Sequence, residues 1–254
     1  MTTDTETICA RLRERHRMRQ DLLRAEVRLT LQIKAICRRL AGGDLADADK
    51  LYRAIAGKGE HEHALAAMAV TAPLRAARDT LEQSRDEIEK AMVKDARQLP
   101  IMPWVKAIRG FGELSLAGLI GETGDLSSYA THSKLWKRLG LAVINGGRQR
   151  RITGDEALEH GYSATRRSLV WNIGQCVMKT QSVRVDKTTG EEKSPAGRYR
   201  RIYDDRKAYE TDRVETKGHA HNRATRYMEK RLIRDLWTAW RAIEAGAAAE
   251  PEAT

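Results

Sequence analysis

Long stretches of the sequence repeat their apolar residues with the period of an α-helix, and this pattern limits the fold more than any other feature. From Thr7 to Leu40 the chain is charged and rich in Ala and Leu, with Val27 and Leu31 one helical turn apart. The Gly42-Gly43 pair ends this predicted helix. Aromatic residues make up only 5% of the chain, which argues against a large β-sandwich or barrel. The sequence therefore predicts an all-α protein.

Two further helical tracts are predicted before Pro100 and Pro103. One runs from Asp44 to about Ala56 and ends at the Gly57-Lys58-Gly59 break. The next begins near Glu60, is interrupted at Pro73 because proline lacks a backbone N–H, and resumes to about Leu99.

The first and third tracts have the charged, Leu-rich character of coiled-coil arms. We expect Thr7–Leu40 and Leu74–Leu99 to pair as an N-terminal antiparallel coiled coil. The predicted domains are a helical coiled-coil region at residues 1–99 and a second helical domain at residues 100–245. Within the second domain we expect an exposed polar loop at Thr188–Gly197 and helical structure again from Tyr199 to about Ala245. An Ala- and Glu-rich tail at residues 246–254 is predicted to be disordered.

The second predicted domain opens with the pattern of a helix-hairpin-helix. An apolar helix end is followed by Gly110-Phe111-Gly112 and by a small-residue helix from Glu113 to about Ile120. The glycines allow backbone N–H groups to approach a ligand, and the start of a helix favours a phosphate. Lys106 and Arg109 add positive charge beside the turn. The alternative is a tight turn that only packs two helices together.

The chain is strongly basic, with 46 Lys and Arg against 35 Asp and Glu and a formal net charge of +11. Such an excess suits a polyanionic partner, so we expect DNA, with structured RNA as the alternative. Outside the hairpin, the basic residues predicted to contact phosphates are Arg148, Arg150, Arg151, Arg166, Arg223, Arg226 and Lys230. The first three follow Gly146-Gly147 in a predicted mobile loop, and the last three recur at helical spacing. A solvated turn and a solvated helix face are the alternatives.

The sequence shows no pattern for metal, cofactor or disulfide chemistry. Cys9, Cys37 and Cys176 are widely spaced and form no C-x-x-C pair, so we expect no metal site, no cofactor and no disulfide framework. The N-terminus is charged and no apolar run approaches the length of a membrane span. We therefore expect a cytoplasmic, nucleoid-associated protein without membrane contact.

The order of the motifs resembles the transposase domain of the bridge-RNA-guided insertion-sequence transposases and their relatives, the Piv/MooV-type DNA invertases. Ile108–Gly112 stands where that family has an I-P-G-I-G hairpin, and Gly121–Asp125 resembles its E-I-G-D. Lys134–Leu141 resembles a stretch that ends in Y-A-G-L, and Arg166–Leu169 resembles part of its R-I-T-K-x-G-N-x-x-L-R-x-x-L. The likeness covers about Leu81 to Trp240. It implies a coiled coil, a helical transposase domain and DNA as the partner.

The resemblance also implies a RuvC-like nuclease domain and a serine nucleophile, and this sequence departs from both. We expect no RuvC-like domain here, because the predicted coiled coil starts close to Met1. Asn145 stands at the apparent place of the serine, and an amide cannot form a phosphoester intermediate. A different alignment of the loop would make Thr153 or Ser163 the candidate nucleophile. We therefore expect no cleavage or rejoining of DNA by the chain alone.

Three functions remain open from the sequence. The first is a transposase-related DNA-binding protein that acts non-catalytically or in trans in recombination or transposition. The second is an active serine recombinase subunit that needs a separate RuvC-like nuclease partner. The third is a coiled-coil assembly protein that binds RNA or an acidic partner. The apolar stripes of the N-terminal helices predict a homodimer or a higher even oligomer.

Overall fold

The computed structural model describes residues 3–186 and 188–246 and shows a mostly helical protein, as predicted. Its α-helices are α1 (Thr3–Leu40), α2 (Leu45–Ile55), α3 (Ala64–Ala96), α4 (Met102–Ala107), α5 (Glu113–Thr123), α6 (His132–Arg138), α7 (Glu156–His160), α8 (Ala164–Thr180), α9 (Arg198–Thr211) and α10 (Lys217–Glu244). A 3-10 helix spans Leu126–Ser128. The described strands form two antiparallel hairpins: β1 (Val143–Ile144) with β2 (Gly147–Arg148), and β3 (Arg184–Val185) with β4 (Glu192–Ser194).

The chain divides into two compact units. We call Arg15–Ala91 the arm unit, and Met1–Glu14 together with Met92–Thr254 the main unit. Helices α1 and α3 each contribute residues to both units.

The arm unit is held together by an apolar cluster and by ion pairs between its long helices. The buried members of the cluster are Ile33, Cys37, Leu51, Ile55 and Ala67. The Arg19 Nε lies 2.6 Å from the Glu89 Oε1, and the Arg85 Nη1 lies 2.8 Å from the Glu26 Oε2. Arg19 precedes Glu26 on α1, whereas its partner Glu89 follows Arg85 on α3. The two helices therefore run antiparallel in this unit.

The predicted interruption at Pro73 is wrong, since α3 continues through this residue. Proline inside a helix removes one backbone hydrogen bond and costs about 3 kcal/mol. The side chains of Ala67 and Thr71 are fully buried in the turns before Pro73. Directly after the proline, the partly buried Leu74 packs against the apolar cluster of the arm unit. The helix is thus packed on both sides of Pro73, and these tertiary contacts override the local preference of the residue.

In the main unit, three tryptophans fix the helix α10 against earlier elements. The indole N–H of Trp136 donates to the Lys230 carbonyl oxygen, and that of Trp237 donates to the Tyr129 carbonyl oxygen. The indole N–H of Trp240 donates to the Asp125 carboxylate at 3.0 Å. Buried apolar residues of α5, α8 and α10 fill the core around these bonds. As a result, α6 and the 3-10 helix are held in place along α10.

The C-terminal part differs in detail from the sequence prediction. The single helix expected from Tyr199 to Ala245 is two helices, because the chain turns after Thr211 and Thr216 caps α10 by accepting from the His219 N–H. The loop expected at Thr188–Gly197 includes strand β4. The predicted tail at 246–254 lies, apart from Gly246, outside the described residues.

Candidate nucleic-acid interface

The glycine-arginine loop is a β-hairpin. Strand β1 pairs with β2, and the turn residues Asn145 and Gly146 have positive φ angles of 49° and 75°. Two consecutive positive φ angles define the type I′ turn, for which Asn-Gly is a favoured pair. The predicted mobile loop is therefore an ordered hairpin. Its turn geometry gives a structural reason for the asparagine, because asparagine tolerates left-handed backbone better than serine does.

A buried glutamine fastens this hairpin to the rest of the main unit. Gln149 is only 2% exposed, and its side-chain NH₂ donates to the carbonyl oxygens of Lys137 and His160. Its side-chain oxygen accepts from the Ala142 N–H at 3.2 Å. Sequence reasoning missed Gln149, because nothing in its neighbourhood distinguishes it from a solvent-exposed polar residue between arginines.

The hairpin and the segment after it present three exposed arginines. Arg148 lies on β2, and Arg150 and Arg151 follow Gln149. Within residues 3–186 and 188–246, no ion pair joins any of the three to a carboxylate. Their guanidinium groups are thus available to an external anion.

A groove of about 580 Å³ lies beside the hairpin and carries three lysines, Lys134, Lys137 and Lys230. The Lys230 Nζ is 4.7 Å from the centre of the Trp136 ring. Burial, and then the charge of Arg226, lower the pKa of Lys230. An anion bound in the groove would raise the pKa of Lys230 again, because its negative charge favours the protonated amine. Sequence reasoning found Lys230 but missed Lys134 and Lys137, which only the fold brings beside it.

Three of the predicted phosphate contacts have partners inside the protein. The Arg166 Nε lies 3.1 Å from the Glu122 carboxylate, and the Arg223 Nη1 lies 3.0 Å from the Glu210 carboxylate. The Arg226 guanidinium donates to the Ala142 carbonyl oxygen, and burial lowers its pKa to about 10. These arginines hold helices and the hairpin together, which gives each of them a structural role.

A buried ion pair lies next to Arg226. The Arg167 guanidinium contacts both oxygens of Glu229, at 3.2 and 2.9 Å, and thereby joins α8 to α10. Gly174 makes room for this carboxylate, because a Cβ there would lie 2.8 Å from the Glu229 Cγ. Burial raises the pKa of Glu229 to about 7, against the opposing charges of Arg167 and Arg226.

The two glycines of the α4–α5 turn have different surroundings. Gly110 has a φ of 88°, and a Cβ there would lie 2.7 Å from the Cys176 carbonyl oxygen of α8. Gly112, by contrast, has open space around it and precedes the first turn of α5 without a side-chain cap. Phe111 is buried, and the Arg109 carbonyl oxygen accepts from Gln181. The Gly110 side of the turn therefore packs against α8, and the Gly112 side is exposed to solvent.

The two candidate nucleophiles lie in different surroundings. The Ser163 hydroxyl caps α8 by accepting from the Arg166 N–H, and Thr153 is exposed in the segment before α7. Within the described part of the chain, no group of three or more His, Cys, Asp or Glu side chains is placed to hold a metal ion.

Comparison of the chain with protein-family models, curated proteins and solved structures finds no match. The resemblance to the insertion-sequence transposases thus rests on the quoted motifs alone. Among the helices of residues 3–186 and 188–246, none has both the length and the apolar character that a membrane span requires.

Proposed function

We propose that this chain is a DNA-binding protein of transposition or recombination that acts non-catalytically or in trans. The observation that carries the proposal is the basic face of the main unit, formed by the β1–β2 hairpin, its exposed arginines and the adjacent three-lysine groove. Arginine and lysine side chains without carboxylate partners bind phosphates and release counterions from DNA. We call this surface the hairpin face.

The geometry of the hairpin face supports a backbone contact to duplex DNA. Gln149 holds the hairpin in a fixed position, so the arginines are partly pre-organised and lose less entropy on binding. In this proposal α4, the turn at Gly110–Gly112 and α5 form a helix-hairpin-helix, and the open N-terminus of α5 contributes a further phosphate contact. Such contacts fix the position of the DNA and do not read its sequence.

The proposed role leaves the chemistry of strand exchange to another polypeptide, a RuvC-like nuclease partner. Asn145 serves the hairpin turn at the apparent position of the family's serine, and Ser163 serves as a helix cap. The long antiparallel helices of the arm unit are proposed as a coiled coil that forms a homodimer. A nucleoid association follows from the same DNA-binding proposal.

The salt dependence of DNA binding tests the hairpin face. Replacing Arg148, Arg150 and Arg151 with Gln should flatten the slope of log affinity against log salt by about two to three units, at ~0.9 per phosphate contact. Fluorescence anisotropy with a labelled duplex between low and moderate salt measures this slope. The expected loss is uniform across duplex sequences.

A matched control removes the same charge elsewhere. Arg28, Arg38 and Arg39 are exposed on α1, and their replacement with Gln should leave the slope within about one unit of the wild-type value. If the two triple variants lose equal slope, the affinity reflects net charge and the hairpin face is not the DNA site.

A further inference from the structure

Arginine and tyrosine side chains alternate along the junction of α9 and α10. The Arg231 guanidinium lies 5.0 Å from the Tyr227 ring centre, and Arg206 lies 4.9 Å from the same ring. Arg206 also lies 4.6 Å from the Tyr209 ring centre. Arg213, just after the end of α9, lies 3.7 Å from the same Tyr209 ring centre. These five residues form a continuous series of cation–π contacts, which we call the Arg–Tyr ladder.

Four members of the Arg–Tyr ladder, Arg206, Tyr209, Tyr227 and Arg231, line an open groove of about 400 Å³ between α9 and α10. Asp205 also lines this groove, and Arg213 extends the ladder beyond the lining residues. Arg198 and Arg234, which also line the groove, share the carboxylate of Asp235. Arg206 is held by the buried carboxylate of Glu210. Burial opposes ionisation of Glu210, but the hydrogen bonds from Arg223 and Arg206 outweigh it and lower its pKa. Arg206, in the middle of the ladder, is therefore held in place by an ionised carboxylate.

Two members of the ladder have no such neutralising partner in the part of the chain that the structure describes. Arg231 donates to the Tyr227 hydroxyl at 2.6 Å, and Arg213 donates to the Tyr209 carbonyl oxygen at 2.7 Å. Neither forms an ion pair with a carboxylate among residues 3–186 and 188–246. Both charges are thus fixed in position by neutral groups. Tyr209 itself is 49% exposed, so part of its ring faces solvent.

We propose that the Arg–Tyr ladder binds a single-stranded nucleic-acid segment, in a site separate from the hairpin face. Unpaired bases have free planar surfaces that stack on tyrosine rings and guanidinium planes, and the phosphates between them pair with arginine. In a duplex the bases are stacked on each other, which leaves only phosphates for the ladder. The alternation of ring and cation along one groove therefore favours a single strand over a duplex.

A function limited to joining α9 to α10 explains less of the arrangement. The helix pair already has the buried Tyr199, Tyr203, Leu232 and Leu236 in its interior. The Arg231 charge, which no described carboxylate neutralises, and the exposed Tyr209 ring add little to that core. In the proposed complex, the Arg231 charge would pair with a phosphate and the exposed Tyr209 ring would stack on a base.

Binding to single strands tests the proposal, with labelled oligo-dT and oligo-U of about 15 nucleotides and a duplex of equal length. The double variant Arg213→Gln/Arg231→Gln should lose single-strand affinity by about tenfold or more and keep its duplex affinity. Tyr209→Ala should lose about tenfold, and Tyr209→Phe, which retains the ring, should bind like the wild type. Circular dichroism shows whether each variant is folded.

A control variant removes two positive charges outside the ladder, one from α9 and one from α10. Arg201→Gln/Lys217→Gln should retain most of the single-strand affinity, since both side chains are exposed and belong neither to the ladder nor to the groove lining. A loss confined to oligo-U assigns the ladder to RNA, and a loss confined to oligo-dT assigns it to single-stranded DNA. Equal losses in the ladder and control variants, or unchanged single-strand binding in folded Tyr209→Ala and in the double ladder variant, overturn the proposal. Because the hairpin-face variants are read on duplex DNA, the two proposals fail independently.

Discussion

Gly110 and Gly112 stand two residues apart in one turn, yet they have different functions at the scale of single residues. A side chain at Gly110 would collide with the backbone of α8 and would also require a φ that L-residues disfavour. A Cβ at Gly112 would meet no atom of another part of the chain within 4 Å. The sequence presents both residues in the same way. Only the packing of α8 distinguishes the glycine that the fold requires from the glycine that leaves the helix start open.

We expect Gly110→Ala to lower the free energy of unfolding by about 2–4 kcal/mol, from overpacking and backbone strain together. Gly112→Val should cost about 1 kcal/mol or less, but should weaken duplex binding if the α5 N-terminus contacts phosphate. Urea unfolding and anisotropy measure the two effects. Full duplex affinity in folded Gly112→Val would mean that the turn only packs helices.

At the scale of elements, the main unit relies on polar contacts between helices that the periodicity of the sequence does not show. Glu229 of α10 is buried against Arg167 of α8, and Gly174 leaves the space for it. The hairpin is fixed in a similar way by Gln149. The Asn145-Gly146 pair is a recognisable hairpin signal, but the arginines around it led to the expectation of a mobile loop. Helix periodicity predicts the apolar face of α10 and gives no information about the buried carboxylate.

Glu229 should make the stability depend on pH. Its pKa is raised in the folded state, so the folded protein holds this proton more tightly than the unfolded chain does. The resulting stability is present below the unfolded pKa and is lost as pH rises through about 7. Between pH 5 and 8 we expect the wild type to lose about 2–3 kcal/mol relative to Glu229→Gln. Chemical denaturation of both proteins at several pH values measures this difference, and a constant difference across the range would contradict it.

At the scale of the whole molecule, the proposed nucleic-acid sites and the proposed dimer contact involve different compact units. The hairpin face and the Arg–Tyr ladder belong to the main unit. The arm unit exposes several large apolar side chains along its long helices. Val27 and Leu31, one turn apart on α1, are 56% and 60% exposed. Exposed apolar side chains at helical spacing are typical of a protein–protein contact.

We therefore expect the protein to be a dimer at tens of micromolar, a concentration that detects even weak association. The double variant Val27→Glu/Leu31→Glu should be monomeric by light scattering. Leu158→Glu is the control, because Leu158 is 90% exposed but lies in the main unit. A monomeric wild type, or a control variant that dissociates as readily as the double variant, would rule out this interface.

The sequence by itself determined the helical class and most helix positions, because periodicity, caps and glycine breaks act over a few neighbouring residues. It also determined the net positive charge, which depends on composition alone. The tertiary structure decided whether each arginine is paired with a carboxylate of the protein or is open to an external phosphate. Arg166 meets Glu122, 44 residues away in the chain, whereas Arg150 meets no carboxylate in the described residues. Ion pairs and grooves depend on distances in space, and those distances are set when distant helices pack together.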